Sequence, residues 1–327
     1  MSNDRGHNAP GRVPGRSRYW LASLSCVRTS SGDFQRSPRA RLARAIMAAW
    51  NVRGRRMFMA VEWSGLKAKL NEVGTGGIVG MCVVAPNGER WSHNGDRQFG
   101  AASTVKIPLM VEIFRGIDRG ERTLADPYVL RDEDRAAGSG VMLHMSAGDT
   151  LTLWDLLYLT ISISDNTATN LLIRMAGMDA VNATMRELGM PNSVLAREMK
   201  GRPAIEGEGE NWATANDYAN VMLSILNGTA ASADSCAKML DLLSKQQNAR
   251  RIARYLPESS DIRWGSKTGS VTGVTNDVGF VTSSAGTVVI AVFCENFPDQ
   301  HVGEYVIGAL ARAAFVATGV VEPTYTS

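Results

Sequence analysis

Residues 262–295 read IRWGSKTGSVTGVTNDVGFVTSSAGTVVIAVFCE. Three short runs within it, 262–268, 277–282 and 287–295, are rich in β-branched residues and are predicted strands. The tight Ser283-Ser284-Ala285-Gly286 turn joins the last two as a hairpin. Strand signals also lie far upstream, where 78–85 is a short apolar run, Pro86-Asn87-Gly88 is a turn and 90–92 is a second strand. Between the two groups the pattern is helical. Thr152 with Asp155 makes a capping box ahead of a helix reaching about Ser162. Asp179 can cap a helix with Val181, Met185 and Leu188 on one face and Gly189 as its close. Thr214 and Asp217 form another capping box before Tyr218, Val221, Met222 and Ile225, and further helices are expected over 233–244 and 248–255. Trp63, Leu66, Leu70 and Val73 place a helix before the first strand, stopped at Gly74. Val302, Tyr305, Val306, Leu310 and Ala313 stripe one after the last strand. The simplest fold is of the α/β class, α+β sandwich type: one antiparallel sheet from both chain ends with an all-helical domain inserted. The sheet portion is expected at about 60–100 and 256–327, the helical one at about 101–255.

The chain has 327 residues, 44% hydrophobic and 20% charged, the balance of a globular protein with a sizeable core. No apolar run reaches the roughly 18–20 residues a membrane span needs, so stable membrane insertion is not expected. The net charge of +3 conceals an asymmetry, since residues 1–56 hold twelve arginines against Asp4 and Asp33. A basic arm can touch nucleic acid or an acidic membrane surface. Its Arg/Gly/Ser/Pro composition reads more simply as a disordered, dispensable extension over 1–59, with Met47, Met57 and Met59 as alternative starts and no nucleic-acid partner. For export, Tyr19 to Val27 follows several arginines but is diluted by Ser23 and Ser25, and no small-x-small cleavage site follows it. The expected compartment is periplasmic or extracellular if a signal operates, and cytoplasmic otherwise. Cys26, Cys82, Cys236 and Cys294 show no metal spacing, and Cys82 and Cys294 read as buried small hydrophobes. His7, His93, His144 and His301 form no ligand pair, so neither metal nor organic cofactor is expected. A monomer is expected.

Three short motifs carry the chemistry. In Ser103-Thr104-Val105-Lys106, positions i and i+3 of a helix lie one turn apart on one face, so the amine can reach the hydroxyl. A serine alcohol becomes a nucleophile when a base takes its proton, and lysine serves only if burial or another cation keeps it neutral. Pro108 costs little if Lys106 lies in the first turn. Ser164-Asp165-Asn166 falls between two helices, the second expected to begin at Thr167. There a hydroxyl can relay a proton and an amide can hold a carbonyl, although Ser, Asp and Asn are also the usual helix caps. Lys267-Thr268-Gly269-Ser270 sits on a strand without the glycine spacing of a phosphate loop, which disfavours nucleotide binding. Its lysine can hold a carboxylate, or simply guard an edge strand against aggregation. Gly269 lets substrate approach the backbone, and the Ser270 and Ser103 amides can form an oxyanion hole.

Each motif alone is weak. In this order, S-x-x-K, S-D-N and K-T-G resemble the set of class A serine β-lactamases and penicillin-binding proteins. The likeness runs from about Ala60 onward and extends to the 164–172 stretch SDNTATNLL and to Thr275-Asn276-Asp277-Val278. It implies a β-lactamase/transpeptidase-like fold with the site in a cleft between sheet and helices. It implies acylation of Ser103 by a small β-lactam or related acyl substrate, protons handled by Lys106 and Ser164, and substrate bound by Asn166, Lys267, Thr268 and Ser270. One segment departs from the pattern. Class A enzymes carry an arginine, a glutamate two residues later and then an asparagine. Here, after Arg197, that glutamate position falls on Met199 without a gap, or on Glu198 with one deletion, and Arg202 replaces the asparagine. Asn211 replaces a closing aspartate, which is expected to weaken the loop's internal ion pair. Glu198 is therefore a candidate for the catalytic glutamate, and acyl-enzyme turnover is open. The leading function is β-lactam hydrolysis. The alternatives are an esterase or D,D-peptidase that deacylates β-lactams slowly, and a catalytically silent scaffold.

Overall fold

A computed structural model of the chain describes residues 60–323. The basic 1–59 stretch and the export readings that fall on it lie outside the described residues. Helix α1 (Ser64–Val73) leads into the hairpin of β1 (Ile78–Val84) and β2 (Arg90–His93), then the short β3 (Phe99–Gly100). The helical layer follows: α2 (Lys106–Asp118), the strand pair β4 (Pro127–Val129) and β5 (Thr150–Thr152), α3 (Leu153–Ser162), α4 (Asn166–Ala176) and α5 (Met178–Glu187). Short β6 (Trp212–Ala213), α6 (Ala215–Leu226) and α7 (Ala233–Leu243) complete it. The chain returns through β7 (Arg263–Val271), β8 (Val274–Ser283) and β9 (Gly286–Glu295) and ends in α8 (Gln300–Ala317).

The five main strands form one antiparallel sheet in the order β2-β1-β9-β8-β7, so both chain ends meet at the β1–β9 pairing. Alternate residues of each strand face opposite sides. Here both sides are apolar. Val79, Met81, Val83, Ile290 and Val292 meet α1 and α8 on one face, while Cys82, Val84, Val289, Ala291 and Phe293 meet the helical layer on the other. Burial on both faces explains why these strands read as continuous apolar runs rather than alternating ones. Cys82 and Cys294 are free and buried, and burial raises their thiols to about 11 and about 12, so both stay protonated and inert.

Several local expectations need amendment. The insert is helical apart from the short pairs β3–β6 and β4–β5. Residues 248–255 form turns, not a helix. The Arg250 amide donates to Asn248 Oδ1 and the Ile252 amide to Asp277 Oδ2, which takes both donors from any helical ladder. Asp179 does not cap α5; Gly177 precedes the helix and Asp179 lies in its first turn, where a negative charge suits the dipole. The Thr214 box is half formed: Thr214 accepts the Asp217 amide, but Asp217 instead accepts Asn192 N and Ser193 Oγ. Tyr305 is exposed, and the inward stripe of α8 runs through Val306, Ile307, Leu310, Ala311 and Ala314. The Thr152–Asp155 box is complete, as expected.

Candidate active site

Ser103 lies in a 3-10 turn, Ala102–Val105, that runs straight into α2, whose first residue is Lys106. Pro108 therefore falls in the first turn, where a missing amide costs nothing. Ala102 has φ +45° and Ser164 φ +63°, left-handed conformations uncommon for residues with a side chain. Strain of this kind, beside the serine of two motifs, marks backbone held in place by its surroundings.

Lys106 is fully buried. Its Nζ lies 2.8 Å from Ser164 O, 3.0 Å from Ser164 Oγ and 3.0 Å from Asn166 Oδ1. Burial pushes its pKa well below the usual lysine value, and the Lys267 charge pushes it further, against the opposing pull of Asp165. Nζ donates to all three oxygens, so the Ser164 hydroxyl is placed to take a proton from it.

The second motif divides its two readings residue by residue. Asp165 is the cap: its Oδ1 accepts Ala168 N of α4, and its Oδ2 accepts the amides of Val141 and Met142. Ser164 and Asn166 turn to Lys106, and Asn166 also donates to Ala137 O at 2.8 Å. The helix starts at Asn166, one residue earlier than expected.

The third motif lies on the edge strand β7. Gly269 comes so close to the serine turn that an added Cβ would sit 3.0 Å from both Ala101 O and Ser103 N. Only glycine allows that approach. Lys267 is fully buried and donates to Thr268 O at 2.7 Å. Burial lowers it to about 7, opposed by Asp277 and reinforced by Arg251. Ser103, 7% exposed, presents an edge to the cleft, whereas Thr268, 8% exposed, opens on a neighbouring depression together with Ser164.

A cleft of about 250 Å³ brings Ser103, Asn166 and Ser270 together with Arg197, Glu198, Met199 and Trp212. Glu198 thus lines the same cleft as the serine, but its carboxylate is held bidentately by Arg174, at 2.7 and 2.9 Å. Met199 lines it too, its backbone bracketed by Asn170, which accepts its amide at 2.7 Å and donates to its carbonyl at 3.0 Å. The loop's ion pair is kept, contrary to expectation. Asn211 takes over the backbone, accepting Ala196 N and Arg197 N, while neighbouring Glu210 pairs with the Arg197 guanidinium at 3.0 Å. Arg202 pairs with Glu208.

Sequence reasoning missed Arg251. It is 1% exposed and donates to Gly269 O at 2.9 Å, Asn276 O at 2.6 Å and Ser270 Oγ at 2.5 Å, while pairing with Glu304. No motif flags it, because its partners, two of them backbone carbonyls, lie far from it in the chain. Asn276, within the recognised 275–278 stretch, donates to Gly100 O and so ties β8 to the serine turn. Among the described residues, no cluster of His, Cys, Asp or Glu is arranged to hold a metal ion, and no helix is long and apolar enough to cross a membrane.

A serine and a buried lysine one turn apart, joined to a second serine and faced by a glycine-relieved edge strand, define a serine acyl-transfer site between a sheet and a helical layer. The chain belongs to the β-lactamase enzyme family, whose model matches residues 65–318. A solved structure of the β-lactamase from Sphaerobacter thermophilus is 59% identical, covers 80% of this chain and all of its own, and superposes with a TM-score of 0.79. An ancestral class A β-lactamase is 27% identical over 77% of this chain and 99% of its own, with a TM-score of 0.71. β-Lactamase BRO-1 of Moraxella catarrhalis is 26% identical over 195 residues, 59% of this chain and 62% of its own length. The chain therefore spans under two thirds of that curated relative.

Proposed function

We propose that the protein is a serine hydrolase that opens β-lactam rings through an ester on Ser103. The observation that carries this reading is the buried Lys106 amine bonded to Ser164, which gives Ser103 a base and the leaving group an acid. Ser103 Oγ attacks the ring carbonyl as its proton passes to Lys106, and the oxyanion is held by the Ser103 and Ser270 amides. The C–N bond breaks, and the proton travels from Lys106 through Ser164 to the leaving nitrogen. Lys106 is then neutral again and can take a proton from the water that hydrolyses the ester. Asn166, Thr268 and Ser270 orient the substrate, and Lys267 faces its carboxylate. The direct test is turnover of a chromogenic cephalosporin, with the ester seen by intact mass; absence of both, across several β-lactams, overturns the reading.

Lys267 gives this reaction a pH signature. Below about 7 it is cationic and binds a carboxylate; above that it loses its proton, and the attraction goes with it. The kcat/KM of a carboxylate-bearing β-lactam, which reports the free enzyme, is expected to fall as pH rises through that value. A neutral activated ester should lack that alkaline limb. Lys267→Arg should keep the charge and mainly raise KM, whereas Lys267→Ala should weaken binding by a few kcal/mol at most.

Glu198→Gln tests the loop carboxylate. Because Arg174 occupies both its oxygens, acylation should hold within about twofold and deacylation should slow by less than about tenfold, against the 10²–10⁴-fold typical of a lost general base. Single-turnover kinetics separate the two steps. A hundredfold slower deacylation would mean that Arg174 releases Glu198 in the acyl-enzyme.

A further inference from the structure

Of the motif residues, Ser103, Asn166 and Ser270 line the 250 Å³ cleft, whereas Ser164 and Thr268 line a second depression of about 510 Å³. Residues 246–250, the turn that follows α7, complete it. In the proposed reaction Ser164 passes a proton to the leaving nitrogen, so that nitrogen must come within hydrogen-bond reach of its Oγ. Whatever is bonded to the nitrogen then lies over the second depression, while the acyl fragment stays with Ser103. Each side of the breaking bond has its own hollow.

The turn is built rather than loose. Gln246, 8% exposed, donates to Ser266 O at 3.3 Å and accepts the Asn248 amide at 3.0 Å. The Gln247 amide donates to Ser162 O at 3.1 Å, and Asn248 Oδ1 accepts the Arg250 amide at 3.0 Å. These bonds fix the turn against α3 and β7. They leave Asn248 Nδ2 and the Arg250 guanidinium as donors for a ligand.

The charge here has one sign. Arg250 is the one charged side chain among the described residues that line the depression. It is 65% exposed, and its Nε lies 3.5 Å from one oxygen of the buried Glu304, whose other oxygen pairs with Arg251 at 3.2 Å. One carboxylate between two guanidiniums leaves a positive balance beside the depression.

We infer that this depression is a binding subsite for the leaving-side fragment of the substrate, fitted by Arg250 and Asn248 to a fragment with an acidic group of its own, beyond the carboxylate that meets Lys267. The inference rests on Ser164 as the acid of the hydrolase reading.

Two cephalosporins test it. They share one acyl group and differ only in a substituent on the ring of the leaving nitrogen, neutral in one and ending in a carboxylate in the other, and neither substituent departs as the ring opens. At low salt, wild-type kcat/KM is expected to favour the acidic compound by about three- to fivefold, through KM, as an exposed charge contact allows. Salt at about 1 M, where charges are screened within about 3 Å, should erase most of that preference. In Arg250→Gln the two compounds should converge to within about 1.5-fold, and Arg250→Lys should keep the preference. No preference in the wild type at low salt, or an equal one in Arg250→Gln, overturns the inference. Calorimetric titration of Ser103→Ala with the same pair needs no turnover and should show the same ratio in Kd. If the wild type hydrolyses neither compound but that ratio appears, the hydrolase reading fails and the subsite stands. If both are hydrolysed and bind equally, the subsite alone fails.

Discussion

Ser103→Ala is expected to abolish the covalent adduct with penicillins and to lower turnover by about 10⁴–10⁶-fold, the range for loss of a nucleophile that works as part of a unit. No neighbour can replace it. Ser164 Oγ is engaged with the Lys106 amine at 3.0 Å. Ser270 Oγ is held by Arg251. Intact-mass spectrometry should show one added β-lactam per chain in the wild type and none in the variant. Equal labelling of both would move the nucleophile elsewhere. No labelling of either, across penicillins and activated esters, would remove the serine ester from the mechanism.

Lys106→Ala is expected to slow acylation by about 10²–10⁴-fold, the contribution of a positioned general base. The two motif lysines are not interchangeable. Lys106 is pressed toward neutrality by burial and by Lys267, and touches the Ser164 hydroxyl; burial lowers Lys267 to about 7 against the pull of Asp277, and its amine donates to Thr268 O. Acylation by wild type should rise with pH as Lys106 loses its proton, and the variant should lose that ascending limb. Removing the amine also leaves three oxygens of Ser164 and Asn166 without this donor, so the thermal midpoint must be measured beside the rate. Should the variant acylate as fast as the wild type, the proton leaves Ser103 by another route, and Glu198 through a water becomes the first candidate.

What could be read from the sequence was whatever depends on near neighbours in the chain. The hairpin 78–92, the Thr152 cap and the last three strands follow from turn residues and local pattern, and they settle the sheet. The motif residues were legible for the same reason, since Ser103 and Lys106 need only one helical turn between them. Arg251 was not, because its worth comes from carbonyls on β7 and β8 that no local pattern announces. The expected helix at 248–255 was lost in part for a like reason, since the Ile252 amide goes to Asp277 on β8. The loop at 197–211 shows a third case. The expected loss of the loop's ion pair rested on Asn211, but Glu210 beside it supplies the charge to Arg197, which only the folded loop reveals.

The β1–β9 pairing joins the two ends of the folded region only after the whole helical insert has been threaded between them. Contacts of such sequence separation form late, since the entropy of closing the intervening chain must be overcome first. Ser103 follows the first hairpin and Lys267 opens the last strand group, so the reactive centre does not exist before that closure. A fluorescent penicillin added during refolding would then act as a stopwatch, marking each molecule when its last large loop shuts.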